Sequence, residues 1–185
     1  MAWPISEPPN RSDIYLKHIV AYVKALMSQV SKEDLQFARN TDLDEVKPFQ
    51  DYLLFHRIIS NSEQVEEALY KSNYADFLEY IMFLKQKYAV PRPFDLAKQM
   101  NVRLPFHHGS ETATNASYPS GHAASAFYIA NILTKEFLKD HPFRDRHRYE
   151  LFNLANRISW GRVCLGVHSL QDIREGARLA NALFA

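Results

Sequence analysis

Five glycines in 185 residues constrain this chain more than any other feature. β-Rich folds draw on glycine for hairpin turns and bulges, so a chain so poor in it favours helices. Three of the five lie within or next to the two histidine-containing segments described below. The apolar spacing agrees. Ile14, His18, Val20, Tyr22, Val23 and Leu26 recur at helical intervals, which predicts a helix over Ser12–Ser28 capped by Ser12. Further helices are predicted over Lys32–Arg39, from Phe49 to Ser60, and from a Ser62 cap onward with a break near Asn73. The last of these resumes through Lys87, and Pro91 and Pro93 stop it. A loop-rich stretch, Asn101–Tyr118, precedes helices at Gly121–Lys139, Arg146–Leu165 and Leu170–Phe184.

An apolar fraction of 46% with 13% aromatics is ample for a core, and 23% charged residues is ordinary for a globular protein. No repeat or interdomain linker interrupts the pattern. The expectation is one all-α domain spanning 1–185, with residues 1–60 as an N-terminal helical extension of unknown role. A net charge of +1 provides no overall field for nucleic acid or an anionic membrane. No apolar run approaches the roughly 18 residues of a membrane span, and the start of the chain lacks a signal-peptide pattern. A soluble, cytoplasmic protein is expected. Cys164 is the sole cysteine, which excludes an internal disulfide, and it reads as a small buried apolar residue.

Three short clusters carry the chemistry. Lys85 is followed after six residues by Arg92-Pro93, and Tyr118-Pro119-Ser120-Gly121-His122 opens a helix. In the third, Arg162 is followed after five residues by His168 and after three more by Asp172. A helix beginning at Gly121 behind a Ser120 cap presents free N–H groups to an anion, with His122 beside it. Asp172 lies one helical turn beyond His168. A carboxylate on one imidazole nitrogen fixes the tautomer and frees the other nitrogen to attack. Phosphoryl transfer rests on positioning and on charge stabilisation at the equatorial oxygens, which Arg92, Arg162 and Lys85 can supply.

These clusters resemble the signature of the superfamily of type 2 phosphatidic acid phosphatases, bacterial non-specific acid phosphatases and vanadium haloperoxidases. That pattern is Lys-x6-Arg-Pro, Pro-Ser-Gly-His and Ser-Arg-x5-His-x3-Asp. The chain departs from it only at Gly161, where the family usually has serine, and Gly176 fits its common continuation. The resemblance covers Lys85–Gly176, about half of the chain, and implies a helical bundle of the acid phosphatase/haloperoxidase type. It implies that His168 is a nucleophile forming a phosphohistidine, that Asp172 orients it, and that His122 is the general acid and then base. Lys85, Arg92, Ser120, the Gly121 N–H and Arg162 are implied to hold the phosphate oxygens, without a metal or other cofactor.

The expected activity is hydrolysis of small phosphate monoesters. The same pocket in a haloperoxidase would hold vanadate on His168, and a catalytically silent anion-binding module is the third reading. Residues 1–60 are available for self-association or a partner. His107 and His108 read as a solvated loop in preference to a site-mouth contact or a metal pair. Trp160 and the aromatic segment Phe77–Tyr88 read as core, and His18, His56, His141 and His147 receive no role.

Overall fold

The computed structural model describes Trp3, residues 12–105 and residues 113–185. Among the described residues the chain forms helices α1 (Asp13–Met27), α2 (Lys32–Leu43), α3 (Lys47–Phe55), α4 (Glu63–Lys71) and α5 (Tyr74–Tyr88). These are followed by α6 (Pro93–Gln99), α7 (Gly121–Phe137), α8 (Arg144–Cys164) and α9 (Leu170–Asn181). His107 and His108 lie outside the described residues.

Hydroxyl side chains set most of the helix starts that matter. Ser12, Ser31, Ser120 and Ser169 accept from the N–H groups of Tyr15, Asp34, Ala123 and Asp172, filling donors that a helix start leaves orphaned. Ser62 does not act this way. Its backbone is already helical and its side chain makes no capping bond; Asn61 Oδ1 accepts from Gln64 N at 3.2 Å instead. The helix expected to run to Ser60 ends at Phe55, because the chain turns left-handed at Arg57 (φ 55°). α5 ends at Tyr88, where the chain turns left-handed at Ala89 (φ 45°), and Pro93, read as a stop, instead starts a helix that the spacing did not predict. Pro93 occupies the first turn of α6, where its missing N–H removes nothing the helix uses.

α7 is the centre of the molecule. Ala123–Ala130, Ile132, Leu133 and Thr134 are all buried, the pattern of a helix enclosed on every side. It packs most extensively on α8 and α9, with α4 and α5 on its remaining faces. The main core joins Ile129 and Leu133 to Phe49, Leu53, Phe77, Ile81, Leu151 and Ile158. Trp160 is corrected from core to surface, at 39% exposure, and Phe83 in the aromatic segment is 54% exposed. Both occupy outward positions on helices whose other faces already fill the interior. Cys164 is buried, and burial pushes its thiol up to about 11. No helix among the described residues is long and apolar enough to cross a membrane.

Two glycines position the site. Gly166 (φ 71°) makes the left-handed turn between α8 and α9, which L side chains rarely adopt. At Gly176 an added Cβ would lie 2.5 Å from the Ser120 carbonyl oxygen and 2.9 Å from Ala124 N. α9 therefore rests directly on the first turn of α7. Gly176→Ala is expected to lower stability by about 1–3 kcal/mol through overpacking, outweighing the roughly 1 kcal/mol that alanine gains in a helix interior. Urea denaturation of the two proteins would measure the difference, and equal stability would contradict this packing.

Candidate active site

The end of α8 and the start of α9 present His168 and Asp172. Asp172 closes a capping box, its Oδ2 accepting from Ser169 N at 2.7 Å. The same oxygen stands 3.7 Å from His168 Nδ1. Ser117 lies between them: its Oγ donates to Asp172 Oδ2 at 2.7 Å and lies 3.3 Å from His168 Nδ1. With the hydroxyl proton committed to the carboxylate, Nδ1–H donates to Oγ and Nε2 keeps its lone pair. Burial, reinforced by Lys85 and Arg92 and opposed by Asp172, pushes His168 down to about 3. The ring is therefore neutral near pH 7. Burial works against ionisation of Asp172, but His168, the Ser169 N–H and the Ser117 hydroxyl outweigh it and hold the carboxyl below its usual range.

Arg92 faces His168 Nε2. Its Nη1 is 3.3 Å from that nitrogen and donates to the Val167 carbonyl at 3.0 Å. Asn115 fixes the rest of the fork, accepting from Nε at its carbonyl (2.8 Å) and from Nη2 at Oδ1 (3.1 Å). Lys85 sits on the last turn of α5, 3% exposed, and donates to the Ala116 carbonyl at 2.7 Å. Burial and the neighbouring Arg92 lower it to about 7, with Asp172 pulling the other way. Its Cε is the nearest atom to the open face of Gly121, 3.7 Å from where a Cβ would stand.

His122 and Arg162 complete the ring of groups. His122 Nε2 lies 3.1 Å from the carbonyl oxygen of Asp42 and 4.0 Å from carboxylate oxygens of both Asp42 and Glu45. Burial and Arg162 lower its pKa, with Glu45 and Asp42 opposing. Arg162 is fully buried, pairs through Nη1 with Asp42 and donates through Nη2 to the Ala38 carbonyl. Its Nε is the one buried side-chain donor or acceptor left without a hydrogen-bond partner among the described residues. An unmet buried donor is costly and suits an incoming anion.

Lys85, Arg92, Gly121, His122, Arg162 and His168 line one cavity of about 240 Å³, together with Glu45, Asn115, Ser125, Leu78, Ile81, Met82 and Val167. Two of the residues singled out from the sequence do not line it. Asp172 stands behind His168, and Ser120 is fully buried with its Oγ accepting from Ala123 N at 3.3 Å. Sequence reasoning missed Ser117, Asn115, Asp42 and Glu45. The first two fall in a stretch read only as loop. Asp42 left a signal that went unused. A carboxylate in the last turn of a helix opposes the helix dipole, and α2 carries no basic residue there to offset it, so a tertiary partner was to be sought.

The sequence profile of the PAP2 superfamily matches residues 73–185, more than half of the chain, and the chain belongs to that superfamily. Among solved structures it is similar to the crystal structure of the first transmembrane PAP2 type phosphatidylglycerolphosphate phosphatase from Bacillus subtilis. The TM-score is 0.60 at 18% identity, over 94% of this chain and 84% of that one, a likeness of fold. None of the curated proteins compared matches the chain.

Removing the Ser117 hydroxyl strips Asp172 of a donor and His168 Nδ1 of its nearest acceptor. A hydrogen bond to a charged group contributes about 1.5–3 kcal/mol, so Ser117→Ala is expected to lower phosphate-ester turnover roughly ten- to hundredfold. Circular dichroism would establish that the fold is intact, and unchanged turnover would remove Ser117 from the site.

Proposed function

We propose that the protein hydrolyses phosphate monoesters through a phosphohistidine on His168, without a metal. The observation that carries this reading is the single cavity onto which two imidazoles and three cationic side chains open. Arg92, Lys85 and Arg162 hold the phosphoryl oxygens, with the orphaned Arg162 Nε as the donor that gains most. They provide the charge stabilisation for which other phosphoryl-transfer sites use divalent ions.

The His168 Nε2 lone pair attacks phosphorus in line with the ester oxygen. As the nitrogen–phosphorus bond forms, the phosphorus–ester oxygen bond breaks, and His122 gives its proton to that oxygen, releasing the alcohol. Water then attacks phosphorus and His122 takes its proton. The nitrogen–phosphorus bond breaks and inorganic phosphate leaves. Asp172 and Ser117 hold the His168 tautomer and stabilise the positive charge that the ring gains on phosphorylation. The cavity accommodates a phosphoryl group and the first atoms of its ester, with Leu78, Ile81 and Met82 as the apolar part of the wall.

Hydrolysis of p-nitrophenyl phosphate is expected to persist in EDTA and to be inhibited by vanadate. His168→Ala is expected to abolish it, whereas His122→Ala retains more labelled phosphate trapped on the protein than His168→Ala does. A fully active His168→Ala protein would sink the mechanism.

A further inference from the structure

The PAP2 profile begins at residue 73, yet one residue lining the cavity, Glu45, comes from well before it. α2 packs on α8 with Ala38 against Gly161. A Cβ there would lie 3.0 Å from Ala38 Cβ and 3.2 Å from Ala38 Cα, so a serine would require Ala38 to give by a few tenths of an ångström. With glycine, α2 sits close enough for Arg162 to bond the Ala38 carbonyl and Asp42. The chain beyond α2 then carries Glu45 to the cavity wall. Ser125 Oγ donates to Glu45 Oε1 at 2.9 Å, and Tyr74 Oη lies 2.5 Å from that hydroxyl. Glu45 Oε2 is left 4.0 Å from His122 Nε2.

His122 spends its Nε2–H on the Asp42 carbonyl. A proton to donate must therefore reside on Nδ1, which makes the ring an imidazolium. The charged groups packed around it are Arg162 from α8, Asp42 from α2 and Glu45, with Lys85 and Arg92 on the same cavity. Asp42 is already paired with Arg162, so its charge is largely offset. We propose that Glu45, from outside the family-matched segment, is a positioning residue that holds His122 in its doubly protonated, proton-donating form. This role rests on the phosphatase reading given above, in which His122 is the general acid.

The expected sign follows from the geometry. Burial and Arg162 lower His122, and Glu45 opposes them; removing the carboxylate lets the ring lose its proton at lower pH. An opposite charge at 4–6 Å shifts a pKa by about 1 or more, and partial solvent exposure of Glu45 reduces this toward the lower end.

The test is an NMR titration of the His122 ring in wild type, Glu45→Gln and Glu45→Asp, alongside kcat/KM against pH for p-nitrophenyl phosphate. In Glu45→Gln the His122 midpoint is expected to fall by about one pH unit. Glu45→Asp should restore part of that shift. Activity in Glu45→Gln should drop more above the wild-type midpoint than below it. An unshifted or raised midpoint overturns the proposal, as does an equal loss at every pH. The NMR arm needs no turnover. A wild-type protein that hydrolyses no ester sinks the phosphatase reading, while an unshifted midpoint in an active enzyme sinks only the role of Glu45.

Discussion

The seating of α9 on the first turn of α7 is the contact on which the site depends. The Ser120 N–H donates to the Asp172 carbonyl at 3.0 Å, and Gly176 lets the two backbones approach without an intervening side chain. Two helix N-termini thus meet, bringing the residues after Ser120 against those after Ser169. Moving α9 outward by the width of a methyl group would carry Asp172 and His168 away from Ser117, Gly121 and His122 together. Glycine is used here for close approach, and its cost in helix stability is small beside the precision it gives.

Charge is balanced unevenly within that frame. Lys85, Arg92 and Arg162 are all buried in a region where burial disfavours every one of them. Carbonyls of Val167, Asn115, Ala116 and Ala38 meet many of their donors, and Asp42 meets Arg162. Buried cations left this close repel one another, so an anion entering the cavity would relieve both the repulsion and the unmet Arg162 Nε. Burial, reinforced by Lys85 and Arg92, keeps the His168 ring neutral, as the proposed nucleophilic role requires. In the proposed mechanism one arrangement of charge serves both binding and attack.

The N-terminal helices are part of this economy. α2 lies along α8 and supplies Asp42 to Arg162, so the segment that looked like an accessory to the phosphatase signature reaches its cavity. Gly161 had seemed a loss of one hydroxyl from the family pattern. In the folded chain it makes room for Ala38, whose carbonyl accepts from Arg162.

The helical class, most helix starts and the three signature clusters were legible in the sequence, because each is written in short-range terms. Ser12, Ser31 and Ser169 cap helices through N–H groups three residues away, and the buried face of α7 is written in its run of small and apolar residues. The helix at Pro93 was missed because a proline reads as a stop signal even where it begins a helix, and the Ser62 cap was misplaced because Asn61, one residue earlier, takes that role. No short-range signature names the partner of Ser117, Asp42 or Glu45. Their partners stand 55, 120 and 80 residues away in the chain. Local spacing determined which residues could do phosphate chemistry. Only the packing of α2 and α9 against α7 and α8 decided which carboxylate faces which cation, because electrostatic and hydrogen-bond energies depend on separation in space.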